Sequence, residues 1–156
     1  MMDIVRVTAD APAEVFEELS ALDRSCFGAE GWTARAFSEL AARDGGAVLA
    51  AYAGDELAGL FAGFTAADTG EVLTLATAPG HRRNGVARLL LGEFLSSVPD
   101  ETENVALEVR QSNTAAVGLY MSLGFEKAGV RRRFYSDPDE DADIMVKNMK
   151  ESAGKC

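Results

Sequence analysis

Two acid–base side chains and one basic turn are the parts of this chain with chemistry in them. Glu108 lies in the otherwise apolar run NVALEVR (104–110). A carboxylate in such a run is either a residue of a solvated strand face or a general base. Tyr120 stands at helical spacing among Val117, Leu119 and Leu123. It is either a core aromatic or a general acid, with an unperturbed pKa of about 10. The lone histidine, His81, precedes two arginines and reads as a surface or ligand-flanking residue rather than a base. No Ser–His–Asp arrangement is argued from this one histidine. Cys26 and Cys156 lie at opposite ends of the chain, which gives neither a disulfide framework nor a metal-ligand spacing, so no metal is expected.

The basic turn belongs to the stretch VLTLATAPGHRRNGVA (72–87). Its β-formers, Val72 to Thr77, predict a strand. Pro79-Gly80 breaks it, and Arg82-Arg83-Asn84-Gly85-Val86-Ala87 leads into a helix. The first N–H groups of a helix have no partner within it, and its dipole places partial positive charge there. Gly85 lets backbone approach a ligand closely. Such a turn is either an ordinary loop or an anion site, and the two arginines favour the anion. It lacks the Gly-Lys-Ser/Thr of an ATPase loop and the three spaced glycines of a dinucleotide fingerprint.

The elements that must position these residues follow from periodicity. Residues 3–8 alternate and predict a strand. Asp10 is expected to cap a helix with Pro12 in its first turn. Thr33 is expected to cap a second helix, with Trp32 and Phe37 as a hydrophobic staple. Apolar runs at 47–53 and 57–64, joined by Gly54-Asp55, predict a hairpin. The helix after the basic turn is expected to bury Val86, Leu89, Leu90, Phe94 and Leu95. In 104–110, Val105, Leu107 and Val109 take one face and Glu108 the other. Ser112 or Asn113 caps the next helix, Gly124 ends it, and strands follow at about 125–133 and 142–148. The order β-α-α-β-β-β-α-β-α-β-β is an α+β pattern around one mixed sheet.

Length and composition set bounds. The 156 residues suit one domain, 1–148, with a frayed tail at 149–156. A formal charge of −10 argues against a nucleic-acid ligand and would suit a basic partner. Asp55 and Glu56 interrupt the apolar stretch 46–64, which predicts a hairpin and no membrane span. The N-terminal MMDIVRVTAD lacks the apolar core of a signal peptide, so a cytoplasmic protein with reduced thiols is expected.

Taken together, Arg82-x-x-Gly85-x-Ala87, EVRQSN (108–113) and GLYMSLGF (118–125) resemble the GNAT acetyltransferase superfamily, and within it the RimI-type N-terminal acetyltransferases. RRRFY (131–135) and DADIM (141–145) are similar to that family's last two strands, so the likeness runs from about residue 3 to 147. The resemblance implies a GNAT-like single domain: a mixed, mostly antiparallel sheet of about seven strands flanked by about four helices. It implies acetyl-CoA as co-substrate. Its pyrophosphate would lie on the turn Arg82, Arg83, Asn84, Gly85, Val86 and Ala87, and its pantetheine arm along Leu75, Ala76 and Thr77. Asn113 matches a cofactor-contacting asparagine. Glu108 matches the proposed general base, and Tyr120 the proposed general acid for the departing thiolate. Trp32 and Tyr135 fall in the two regions that flank the acceptor. The implied acceptor is a protein N-terminus, by resemblance that of a ribosomal protein.

The residue types suit that chemistry. An α-amine with pKa near 8 is roughly one-tenth neutral at pH 7, so a carboxylate has little proton to remove. A thiolate leaving group of pKa about 8.5 can be met by a phenol. Direct transfer in a ternary complex needs no covalent enzyme intermediate. Ala87 replaces a second glycine of the turn, Arg82 a frequent glutamine, and Phe134 the first of two tyrosines; Phe27–Trp32 also departs from the family's shorter stretch. A small-molecule amine as acceptor, and a non-catalytic CoA-binding module, remain open alternatives.

Overall fold

The computed structural model describes residues 2–136 and 138–150. Its strands are β1 (Met2–Arg6), β2 (Gly46–Ala53), β3 (Glu56–Ala66), β4 (Thr69–Thr77), β5 (Asn104–Arg110), β6 (Glu126–Tyr135) and β7 (Glu140–Asn148). Its α-helices are α1 (Ala13–Phe27), α2 (Ala34–Ala42), α3 (Val86–Ser97) and α4 (Thr114–Ser122). This is the chain order that periodicity predicts. The strands form one seven-stranded mixed sheet in the order β1-β2-β3-β4-β5-β7-β6. Among the described residues no helix is long and apolar enough to cross a membrane.

The described residues cluster into two compact units. The first holds residues up to Phe64 together with Leu73–Val98. Its antiparallel β2–β3 hairpin turns at Gly54, whose φ of +64° is the left-handed backbone expected there. Leu19 of α1, Phe37 of α2, Val48 and Ala50 of β2 and Leu60 of β3 close a core with almost no exposure. Each large apolar side chain buried this way contributes about 1.5–3 kcal/mol. Helix α3 lies against β3 through Phe94 and Phe61, whose ring centroids are 4.6 Å apart. Gly59 permits that approach: a Cβ there would meet Val86 Cγ1 at 2.6 Å and the Ala76 carbonyl at 2.9 Å. A small residue on β3 therefore fixes how closely the first turn of α3 sits on the sheet.

Two local expectations for this unit need correction. Asp10 does not cap α1; Pro12 stands at the cap without a side-chain bond, and the Asp10 carboxylate accepts from Thr8 Oγ1 instead. On α3, Leu89 is exposed and Leu91 is fully buried. The apolar run LLL at 89–91 left the choice of face ambiguous, and packing against the sheet selects Leu90 and Leu91. Thr33 does cap α2, its Oγ1 accepting from Ala36 N at 3.0 Å.

The second unit holds Thr65–Val72 and the residues from Pro99 on. Strand β5 pairs in parallel with β4 from Thr69↔Asn104 to Glu71↔Ala106. It also pairs antiparallel with β7, which in turn pairs with β6. The alternation of β5 is clean: Val105, Leu107 and Val109 are buried and the residues between them half-buried. Asn113 caps α4 by accepting from Ala116 N at 3.2 Å. Gly124, at φ +96°, turns the chain back, so that Phe125 N donates to the Tyr120 carbonyl at 3.0 Å. Met149 N donates to the Glu103 carbonyl at 2.8 Å. Of the expected tail, Glu151–Cys156 lie outside the described residues.

Candidate active site

The first unit carries the candidate donor site. After β4, a short 3-10 turn, Pro79–His81, and the exposed residues Arg82–Gly85 lead into α3. Arg83 and Gly85 both have left-handed backbone, with φ of 68° and 76°. Gly85 stands at the helix cap, and among the described residues α3 has no side-chain cap hydrogen bond. The first N–H groups of α3, the dipole of this twelve-residue helix and the two arginines together fit a phosphate-bearing group. A Cβ at Gly85 would meet nothing within 4 Å, so the glycine serves the left-handed backbone and not a tight fit.

Side chains fasten both ends of this site. His81 Nε2 lies 2.6 Å from Glu56 Oε1, tying the 3-10 turn to the start of β3. At the end of β4, the Cys26 thiol donates to the Thr77 carbonyl at 3.6 Å, and Arg82 Nη2 lies 3.9 Å from the same sulfur. Cys26 thus joins α1, the strand end and the basic turn. Asp23 is a second residue that pattern reasoning passes over. It is fully buried on α1, accepting from Thr74 Oγ1 at 2.7 Å and from Trp32 N at 2.7 Å. Burial pushes its carboxyl above the ordinary value, against the Trp32 N–H and the Thr74 hydroxyl, which favour the charged form. Thr74 immediately precedes Leu75–Thr77, so one carboxylate fixes both that strand segment and the Trp32 backbone. Trp32 itself is half-buried, its ring 5.3 Å from Phe37, as the staple predicts.

The second unit carries the candidate acid–base groups. Glu108 is half-buried, and its Oε1 meets Arg131 Nε of β6 at 3.2 Å. Burial raises the Glu108 carboxyl above the ordinary carboxylate range; Arg131 opposes the shift and Glu71 adds to it. A carboxyl raised in this way is a better proton acceptor, once ionised, than an ordinary carboxylate. Tyr120 is 8% exposed, with its ring edge toward Phe125 at 6.0 Å. Burial pushes its phenol up to about 12, so it stays protonated at any physiological pH.

Tyr135 is held by Arg110, whose guanidinium lies 4.5 Å from the ring centroid. Arg110 also donates to the carbonyls of Ser136 and Pro138, at 2.9 and 3.0 Å, and meets Glu140 Oε1 at 3.2 Å. Ser112 donates to Glu140 through its N–H at 2.6 Å and its hydroxyl at 3.0 Å. The β6–β7 loop, Tyr135 and the approach to α4 are therefore one hydrogen-bonded assembly. Phe134 is 48% exposed beside Tyr135, their rings 5.0 Å apart and near perpendicular.

The sequence model of the Acetyltransferase (GNAT) family matches residues 14–125. An uncharacterised protein of Mycobacterium leprae is 36% identical over 140 residues, covering 86% of this chain and 38% of that protein. The [Ribosomal protein bS18]-alanine N-acetyltransferase of Escherichia coli K12 is 42% identical over 84 residues, 51% of this chain and 55% of that enzyme. The alignments thus span about half or less of these relatives. The crystal structure of the ribosomal-protein-S18-alanine N-acetyltransferase from Escherichia coli superposes with a TM-score of 0.81 at 25% identity, over 96% of this chain and 94% of that one. The match to the family model over most of the chain, with a superposition that spans it, shows that this protein belongs to the GNAT acetyltransferase family.

Proposed function

We propose that this protein transfers the acetyl group of acetyl-CoA to the α-amine of a protein N-terminus, with a ribosomal protein as the acceptor class. Family membership supports acetyl transfer, and the likeness to enzymes named for ribosomal-protein alanine acetylation supports the acceptor. The single observation that carries the catalytic reading is the half-buried Glu108, with a carboxyl held above its ordinary value.

The chain's own residues would divide the work. Backbone N–H groups of Gly85, Val86 and Ala87, flanked by Arg82, Arg83 and Asn84, bind the pyrophosphate. Leu75, Ala76 and Thr77 offer strand backbone to the extended pantetheine arm, and one of their N–H groups stabilises charge on the thioester carbonyl. Asn113 has its Oδ1 committed to the α4 cap, so its amide NH2 is the group left to meet the donor. Acetyl-CoA supplies an acyl group already activated as a thioester. Glu108 takes the proton released as the amine attacks.

Tyr120 would act by hydrogen bonding to the departing sulfur. With its phenol near 12 and a thiol near 8.5, outright protonation of a free thiolate would be uphill by about 5 kcal/mol. A neutral donor held beside the sulfur stabilises the growing charge without that cost. Trp32 and Tyr135 are proposed to contact the acceptor.

Incubation of the purified chain with acetyl-CoA and free-N-terminus peptides tests this. Acetylation of the α-amine, lost in Glu108→Gln while CoA affinity is kept, is the expected result. Tight CoA binding with no acetylation of any amine would leave only a CoA-binding module.

A further inference from the structure

Glu108 is embedded in a patterned face of the second unit. Cross-strand partners share a face, as do residues two apart on one strand. Glu108 pairs with Ile144 and Arg110 with Ala142 across β5 and β7. Ile144 pairs in turn with Gly129, and Ala142 with Arg131, across β7 and β6. Glu108 and Arg131 therefore stand on the same face, two strands apart and one step out of line. Their contact at 3.2 Å runs diagonally over β7. It crosses β7 between Ala142 and Ile144, the two β7 residues on that face.

The contact is made through Oε1. Among the described residues, no hydrogen bond is made to Oε2. The guanidinium lies 5.7 Å from the Phe134 ring, which limits its swing. One carboxylate oxygen is thus anchored and the other left for a proton, the arrangement a positioned base requires.

We propose that Arg131 is a positioning residue for acetyl transfer, anchoring Oε1 of Glu108 so that Oε2 faces the proton of the acceptor amine, directly or through one water. The inference rests on Glu108 being the base. As the N–C bond forms, the amine N–H bond breaks and its proton passes to Oε2. The C–S bond breaks, and its electron pair leaves on the CoA sulfur. The charged groups facing Glu108 are Arg131 on β6, Arg110 on its own strand and Glu71 on β4; Ile144 and Ala142 of β7 carry no charge. Losing Arg131 leaves Glu71 and burial unopposed by their nearest counter-charge, so Glu108 would lose its proton only at higher pH.

The test compares wild type, Arg131→Ala and Arg131→Lys by two readouts. One is the titration of the Glu108 side-chain carboxyl followed by 13C NMR, assigned with Glu108→Gln. The other is the pH profile of kcat/KM for a peptide acceptor. Arg131 is 56% exposed, so the variants are expected to fold. In Arg131→Ala the Glu108 midpoint rises, and kcat/KM falls about two- to fivefold on the acid limb of its profile with recovery at higher pH; lysine restores part of both. An unmoved midpoint in Arg131→Ala would overturn the role of Arg131 and leave Glu108 as the base untouched. A moved midpoint with an unmoved acid limb would overturn Glu108 as the base, and with it the catalytic meaning of the pair.

Discussion

At the residue scale, the catalytic account depends on two groups displaced from their ordinary acidity in the same direction with different consequences. As the proposed base, Glu108 would act only when ionised, and burial raises its carboxyl, so activity is expected to be lost as pH falls through a value above its ordinary one. The acid limb of the kcat/KM profile is expected there, apart from the titration of the acceptor amine near pH 8. Replacement by glutamine is expected to lower kcat by about 10²- to 10⁴-fold with unchanged CoA affinity, read by steady-state kinetics and calorimetry. Tyr120→Phe is expected to cost less, because a phenol near 12 contributes a hydrogen bond more than a proton. Glu108 was visible as a carboxylate on the polar face of 104–110, but its proposed role as a base came only from the GNAT resemblance. Arg131 was not legible: within RRRFY nothing marks one arginine from the next, and only the β6–β7 register brings it across the sheet to Glu108.

At the scale of elements, the β4–α3 connection and the buried anchor behind it carry the candidate donor site. Gly85→Val places a β-branched residue at φ 76° and is expected to cost about 1–2 kcal/mol of stability and to weaken CoA binding, read by urea unfolding and calorimetry. Asp23→Ala would strip the Trp32 N–H and the Thr74 hydroxyl of their acceptor, an expected loss of about 2–5 kcal/mol. The sign of its pH dependence follows from the raised carboxyl. The folded state holds the proton more tightly than the unfolded, so this group's contribution to stability falls as pH rises from about 4 through the folded value. Asp23→Asn is expected to flatten that fall in urea unfolding across acidic pH. Element order, the Thr33 cap, a cap at Ser112 or Asn113 (it is Asn113) and the hairpin at Gly54 were legible because capping and turn chemistry are local. The α1 cap and the buried face of α3 were not, since Pro12 fixes the chain without a side-chain bond and three consecutive leucines have no period.

At the scale of the whole molecule, a formal charge of −10 surrounds basic clusters at Arg82–Arg83 and Arg131–Arg133. An acidic protein that acts on a basic tail should draw it in by long-range attraction. KM for a basic peptide is therefore expected to rise between about 0.1 M and about 1 M salt, as the Debye length shrinks from about 10 to about 3 Å, while KM for a neutral peptide changes less. Fold and family could be read from the sequence because the GNAT pattern lies in contiguous motifs. The acceptor could not, because Phe27–Trp32 and Phe134–Tyr135 depart from that pattern and are shaped by contacts distant in sequence, such as Asp23 with Trp32 and Arg110 with Tyr135. The most direct measurement is mass spectrometry of a mixed panel of free-N-terminus peptides, N-terminally blocked lysine peptides and small amines, incubated with acetyl-CoA and either the wild-type protein or Glu108→Gln. The account expects one acetyl group on free α-amines, and its loss in the variant. Acetylation confined to lysines or small amines, or a variant as active as the wild type, would contradict it.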